Sequence, residues 1–329
     1  MIKILAYDQI DQLQWQKLVQ SSPVTTWFQT DEAYSFYQSV GDVQAFVYGV
    51  SEEDNLVGIV VGYTTKEKCK FKQHFTARSI IVGGPLLADN ISDEALAALL
   101  KAIRRLGDKA IYVETRNFHD YSKWKSIFEA NGFTYQPHYD IHVHCNAQHQ
   151  MSERRQRELK RAIKNGATVA EAQSEQEIRD WYQILHRLYR EKVRTPLFSE
   201  EFFLQFYRNG VGKYLLVKHE DKIIGGMMCP VFDSKAIYEW YVCGLDEEYR
   251  DLSPSVVATH AAIEYAKENG LPLFDFMGAG EPEIPYGVRD FKMEFGGELR
   301  EYGRFLCIRK PLLYWIGKIG VKWLKKSFN

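Results

Sequence analysis

Residues 214–232 read Tyr214-Leu-Leu-Val-Lys-His-Glu-Asp-Lys-Ile-Ile-Gly-Gly-Met-Met-Cys-Pro-Val-Phe, two apolar extended runs around the polar turn Glu220-Asp221-Lys222. The same arrangement stands at 45–63, where the turn is Glu53-Asp54-Asn55. Both read as β-hairpins. Each leads to a further extended segment, an amphipathic helix and a strand: Asp93-Glu-Ala-Leu-Ala-Ala-Leu-Leu then Ala110-Ile-Tyr-Val-Glu-Thr in the first half, Pro254-Ser-Val-Val-Ala-Thr-His-Ala then Leu273-Phe-Asp-Phe-Met in the second. A short helix at 121–130 and a strand over 134–144 close the first half, and 296–308 closes the second. Two tandem copies of one mixed α/β (α+β) domain, with sheets flanked by helices and joined near 146–160, explain this order better than one continuous sheet.

Length agrees with two domains, because 329 residues, 45% of them hydrophobic, exceed what one core usually organises. Lys and Arg number 42 against 43 Asp and Glu, so the chain does not coat nucleic acid or anionic lipid indiscriminately, and any basic surface is local. No apolar run reaches the roughly 18 residues of a membrane span, and no secretory leader is recognisable, which places the expected location in the cytoplasm. Cys69, Cys145, Cys229, Cys243 and Cys307 lack a CxxC spacing and read as reduced, mostly buried thiols.

Between the halves, 151–170 carries Arg154, Arg155, Arg157, Lys160, Arg161 and Lys164 against Glu153 and Glu158, with Leu159 and Ile163 on one stripe. This cationic amphipathic helix reads equally as a solvated face or as a phosphate-contacting one.

Asp275-Phe-Met-Gly-Ala-Gly-Glu-Pro-Glu-Ile-Pro-Tyr-Gly-Val-Arg-Asp-Phe-Lys-Met-Glu-Phe-Gly-Gly-Glu-Leu, with its Phe-Lys-x-x-Phe-Gly-Gly-Glu ending, resembles the closing motif of the Fem-type aminoacyltransferases. Trp27-Phe-Gln-Thr, Gly83-Gly-Pro-Leu and the Arg-rich helix extend the resemblance over nearly the whole chain, although its specific part is about 25 residues long. It implies tandem acyltransferase (GNAT-like) domains, here 1–148 and a catalytic 149–310, followed by a basic amphipathic helix over 311–329. It also implies transfer of an aminoacyl group from aminoacyl-tRNA to an amine on a UDP- or lipid-linked envelope precursor of peptidoglycan type, a reaction calling for no cofactor. No heptad run long enough for the family's helical arm exists here, and Phe36-Tyr37 stands where its first-domain lysine is expected.

Residue by residue, the resemblance gives Lys292 the role of offsetting charge on the carbonyl oxygen or leaving ribose, from a strand-like segment in which Phe291 alternates with it. Tyr241, on a strand spanning 238–242, is implied as proton relay or orienting hydroxyl. Phe291, Tyr286, Arg289, Glu114, Arg116, Lys192 and Arg194 are implied as substrate-binding, around the cleft that the family uses between its domains. Arg154, Arg155, Arg157, Lys160 and Arg161 are implied as tRNA phosphate contacts. Structural alternatives stand beside these: a Glu114–Arg116 ion pair, Phe291 as core and Tyr241 as a half-buried aromatic. Spacing singles out none of Asp275, Asp290 and Glu281 as base.

Acetyl-CoA-dependent relatives of the fold seat the pyrophosphate on amides at a helix N-terminus. Here Tyr249-Arg-Asp-Leu-Ser-Pro-Ser places Pro254, which has no N–H, at that turn, with Ser253 expected as the cap and Asp251 adding negative charge. A CoA-dependent N-acyltransferase and a non-catalytic envelope-assembly protein remain the alternatives. Among His138, His142, His144, Cys145 and His149, the set Asp140, His142 and His144 shares one strand face, but no partner cluster is apparent and no metal is assigned. The segment from Pro311 has Lys318, Lys322, Lys325 and Lys326 and no acidic residue, opposite Leu312, Trp315, Ile316, Ile319 and Trp323. It reads either as a helix lying on the inner face of a membrane or as one docked on the first domain through that stripe, Gly317 and Gly320 favouring close packing.

Overall fold

The computed structural model describes residues 1–66, 76–105, 110–146 and 151–326, with side chains as far as Lys318. The chain divides into two compact units, residues 1–137 with 302–329, and residues 138–301. In the first lie β1 (Ile2–Leu5), β2 (Val43–Glu52), β3 (Asn55–Thr65), β4 (Ser79–Gly83), β5 (Leu86–Leu87), β6 (Tyr112–Asn117) and β7 (Thr134–Gln136). In the second lie β8 (Tyr139–His144), β9 (Thr168–Glu171), β10 (Gly212–His219), β11 (Lys222–Phe232), β12 (Ala236–Tyr238), β13 (Tyr241–Gly244), β14 (Leu273–Asp275) and β15 (Glu298–Glu301). The chain then returns to the first unit with β16 (Arg304–Ile308).

Both hairpins form, each with a two-residue loop whose residues have positive φ, Glu53 and Asp54 in one, Glu220 and Asp221 in the other. That geometry matches the right-handed twist of the flanking strands. A bulge falls at the same place in each, between Val50 and Ser51 and between Val217 and Lys218. The sheets repeat as well: β1-β2-β3-β4-β6-β16-β7 with β5 on β3, and β9-β10-β11-β12-β14-β8-β15 with β13 on β11. Helix Asp93–Arg105 lays Leu96, Leu99, Leu100 and Ile103 on the first sheet, and helix Pro254–Glu268 lays Val256, Val257, Ala262 and Ile263 on the second.

Three expectations change. The strand expected over 134–144 is two strands in different sheets, broken at Pro137, which has no N–H for a continuing ladder. The segment 296–308 likewise divides into β15 and β16, so the units part at 137/138 and 301/302 rather than at 148/149, and each sheet takes a central strand from the other half of the sequence. The C-terminal helix, Pro311–Lys326, does not dock through its apolar stripe among the described side chains: Leu312, Trp315 and Ile316 are exposed, and Gly317 faces open space. Cys145, Cys229, Cys243 and Cys307 are buried free thiols, as expected, while Cys69 and His149 lie outside the described residues.

Because β16 pairs with both β6 and β7, a chain ending at Glu301 is expected to lose protease resistance throughout 1–137, whereas one ending at Lys310 keeps it. Peptide mapping after limited proteolysis checks this, and equal resistance of the two truncations would contradict the strand exchange.

Candidate active site

In the second sheet β12 pairs with β11 at Val231–Phe232 and in parallel with β14, while β13 pairs with β11 further back, at Gly225 to Met228. The single strand expected over 238–242 is therefore interrupted, and Glu239 and Trp240 sit at the break. The Glu239 N–H donates to Asp275 O at 2.9 Å, and the Trp240 N–H to Met228 O at 3.1 Å. Helix Gly287–Met293 brings Lys292 to the same place, so Lys292 is helical rather than strand-like.

Both side chains are buried. Lys292 Nζ lies 3.0 Å from Glu239 Oε1 and donates to the carbonyls of Phe276 at 2.7 Å and Gly278 at 2.9 Å. Those carbonyls turn inward because the loop after β14 runs through positive φ at Met277 and Gly278. Glu239 Oε2 has no hydrogen-bond partner among the described residues. Burial raises the Glu239 pKa, and Lys292 pulls it back without cancelling the shift.

Asp275, His142 and Asp140 adjoin this pair. His142 Nε2 stands 3.3 Å from Asp275 Oδ2 and 3.9 Å from Asp140 Oδ2. Asp140 Oδ1 accepts from the N–H groups of Gly278 and Ile141 at 2.8 and 2.7 Å. Burial and then Asp275 push Asp140 up to about 7, with His142 opposing. Burial lowers the His142 pKa, but the two carboxylates outweigh it and leave the imidazole above its ordinary value. The partner for the strand face that the sequence left open is thus Asp275, on β14; His144 instead points to exposed Glu298.

The first unit gives an internal comparison. Gly132 and Gly296 share one backbone conformation, and the cross-strand pairs Thr134↔Leu306 and Glu298↔His142 fix the alignment. Phe128 then corresponds to Lys292, Ile81 to Glu239 and Leu306 to His142. Three buried apolar positions of one copy are ionisable in the other. Burying such groups carries a desolvation penalty of several kcal/mol per ion, and the first copy folds without them. Lys292, Glu239 and His142 are therefore not requirements of the fold, whereas the positions of Asp275 and Asp140 are charged in the first unit too, as Glu114 and Arg304.

The other candidate residues are placed as follows. Tyr241 packs in an aromatic cluster, its ring 5.0 Å from Phe203 and 6.2 Å from Tyr189. Phe291 packs against the core and Phe295, with the Arg155 guanidinium 4.4 Å above its ring. Arg155 is buried and pairs with Glu158 and Glu294, so it braces this helix rather than facing phosphate. Arg161 binds Asp251 and the Arg250 carbonyl; Arg154 and Arg157 are exposed with weak pairs to Glu158 and Glu153, and Lys160 is exposed. Arg289 holds the carbonyls of Ala279, Glu281, Pro282 and Ile284, and exposed Tyr286 packs its ring near Gly280. In the first unit Glu114 pairs with Arg116 at 2.7 Å and Arg304 at 3.3 Å; burial raises its pKa but the arginines outweigh that. Lys192 pairs with Glu247, and Arg194 sits in the left-handed region with Nε donating to Glu191 O.

Glu239 is the site residue that the sequence reading misses. Its signal is that it is the one carboxylate inside the run Ala236-Ile-Tyr-Glu-Trp-Tyr-Val-Cys. The sequence offers His142 and Asp140 only as metal ligands, because their neighbour Asp275 is distant in it.

At the start of helix Pro254–Glu268, Ser253 is left-handed and does not cap. The cap is Asp246, whose carboxylate accepts from the Ser255 N–H at 3.1 Å and from the Ser255 hydroxyl. Pro254 lacks an N–H, Val256 and Val257 bond to Ser253 O and Ser255 to Asp246, so the amides that a diphosphate would need are already taken. The residues of this turn do not fit the diphosphate of acetyl-CoA.

Residues 151–293 match the family described as an acetyltransferase (GNAT) domain. This stretch is a GNAT-type acyltransferase domain. A structure of FemX aligns with a TM-score of 0.69 at 16% identity, over 95% of this chain and 99% of that one. A tandem GNAT protein from the clavulanic acid biosynthesis pathway gives 0.61 at 11%, over 93% and 98%. L-PGS from Bacillus licheniformis gives 0.59 at 15%, over 91% and 92%. No curated protein sequence matches the chain. Over most of its length the chain has a tandem GNAT-like fold, and no helix among its described residues is long and apolar enough to cross a membrane.

Protonated Asp140 stabilises the fold fully below its unfolded value, and that contribution is lost as pH rises through about 7. Asp140→Asn keeps an acceptor for the two N–H groups and stays neutral. Its stability relative to the native chain should therefore rise between pH 5 and 8, as read from urea unfolding at each pH; a pH-independent difference would refute the buried proton.

Proposed function

We propose that the chain transfers an aminoacyl group from aminoacyl-tRNA to an amine on a cell-envelope precursor, with the second unit as the catalytic one. The acceptor nitrogen attacks the ester carbonyl carbon, a C–N bond forms, and the bond to the terminal ribose oxygen breaks. The amine proton goes to Glu239 and is returned to the leaving ribose oxygen. A carboxylate raised toward neutrality by burial suits both halves of that relay, and Glu239 Oε2 is an unused acceptor.

Lys292 keeps Glu239 ionised enough to accept a proton and supplies a fixed positive charge against the tetrahedral oxyanion. Its three hydrogen bonds hold the charge in place, so no side-chain reorganisation accompanies the reaction. Tyr241 contributes a ring to the aromatic wall two residues along, consistent with an orienting role for its hydroxyl. On the same reading Arg154, Arg157 and Lys160, exposed on helix Glu153–Lys164, contact tRNA phosphates, while Tyr286, Arg289 and Phe291 shape the loop and helix around the acyl group. Lys192 and Arg194, exposed on the second unit, are assigned to the acceptor.

The observation that carries the choice of donor is Asp246 on the Ser255 N–H. An anionic side chain there repels a thioester's diphosphate, whereas an aminoacyl ester needs no such seat. The FemX likeness and the Phe-Lys-x-x-Phe-Gly-Gly-Glu motif support the same reading.

Purified chain should transfer label from aminoacyl-tRNA to a UDP-linked muropeptide and give no heat with acetyl-CoA in calorimetry. Glu239→Gln should lower kcat by about 10²–10⁴-fold. Lys292→Met should lower it similarly, and the Lys292→Met, Glu239→Gln double variant should recover stability without recovering activity. Tight acetyl-CoA binding, or full activity of Glu239→Gln, would end this reading.

A further inference from the structure

We propose that the C-terminal helix, Pro311–Lys326, is a surface anchor for anionic lipid. Its start is fixed to the first unit: the N–H groups of Arg309 and Lys310 both donate to Ile111 O, and Tyr314 packs edge-on against Tyr112 at 5.7 Å. One turn on, that support ends. Leu312, Trp315 and Ile316 are 81%, 57% and 65% exposed, and a Cβ at Gly317 would meet nothing within 4 Å. Three large apolar side chains so placed on one helix have no internal reason to be there.

Charge selects the occupant. From 311 to 329 the sequence carries Lys318, Lys322, Lys325 and Lys326 and no Asp or Glu, although the chain as a whole is nearly neutral. A concentrated positive segment beside an apolar stripe that includes tryptophan matches an anionic headgroup layer, where the stripe enters the acyl boundary and the ammonium groups meet phosphate. Lys318 Nζ already lies 5.6 Å above the rings of Tyr314 and Trp315, at the edge of that stripe. A protein groove would need acidic complements of its own; a bilayer supplies both layers at once. The anchor stands whichever acyl donor the second unit uses.

The test is flotation of the full chain with vesicles of phosphatidylcholine alone or with about one-third phosphatidylglycerol, at about 0.1 M and 0.5 M salt. The expected result is binding to the anionic vesicles that falls at least ~10-fold at the higher salt. Binding should also be lost in the Leu312→Glu, Trp315→Glu variant, whose thermal unfolding is unchanged because both positions are exposed. A charge-reversed Lys318→Glu, Lys322→Glu variant separates the electrostatic part from the apolar one and should lose binding too. No flotation, equal flotation of the variants, or a dimer in sedimentation velocity that the Leu312→Glu, Trp315→Glu variant dissolves would each overturn the proposal, the last by giving the stripe to a second copy. None of these outcomes depends on transferase activity.

Discussion

An ammonium and a carboxylate buried 3.0 Å apart, Lys292 and Glu239, set the terms for the second unit. Neither is tolerable alone in a low-dielectric interior, and together they still require the remaining donors of the ammonium to be satisfied. That requirement fixes the loop after β14, whose carbonyls at Phe276 and Gly278 face inward. Glu239 reaches Lys292 from the break between β12 and β13, a break that the first unit repeats between β4 and β5 without any such pair. The strained conformation at Met277, with φ of 55°, is held by the Met277 N–H donating to Asp275 Oδ1. Loop and ion pair are thus one arrangement, set on a strand break and a helix that the fold supplies in both units.

The duplication makes the cost of that arrangement visible. Where the second unit has Lys292, the first has Phe128, stacked on Phe305 at 4.0 Å; where it has Glu239, the first has Ile81. Packing of this apolar kind is the cheaper solution for the same backbone, since it avoids charge desolvation and gains dispersion contacts. Ionisable residues at equivalent depth are explained by chemistry better than by stability. The first unit keeps its own buried charges, Glu114 with Arg116 and Arg304, but those close on one another across β6 and β16 and leave no carboxylate raised in pKa.

The hairpins, the helices and the repeat were legible because alternation and turn chemistry are local, and Glu53-Asp54 and Glu220-Asp221 mark their loops plainly. The exchange of β8 and β16 was not, because Pro137 and Gly303 signal a break in a strand but not which sheet the next strand joins. In the site, Lys292 could be named from its motif, yet its partner could not: Glu239 lies 53 positions earlier, and only the fold makes the two neighbours. Alternation also misplaced Lys292 on a strand, since seven residues of amphipathic helix and of irregular extended chain look alike at that length. Asp246 escaped notice for the same reason, its capping bond spanning nine residues and a turn.

In both units a carboxylate of the chain bonds at the start of the helix, where this fold can seat an anion. In the first, Glu52 accepts from the N–H and hydroxyl of Ser92 ahead of helix Asp93–Arg105; in the second, Asp246 does so from Ser255. In the second unit the amides of Ser255, Val256 and Val257 are all bonded internally; in the first, Glu52 and the Ser92 hydroxyl take those of Ser92 and Ala95, and such capping contributes to stability. On the proposed function, a buried acid–base pair without an anion cradle serves the attacking amine and leaves a nucleotide thioester without a seat. On the same proposal, donor recognition falls to contacts elsewhere, for which Arg154, Arg157 and Lys160, exposed on helix Glu153–Lys164, are the candidates.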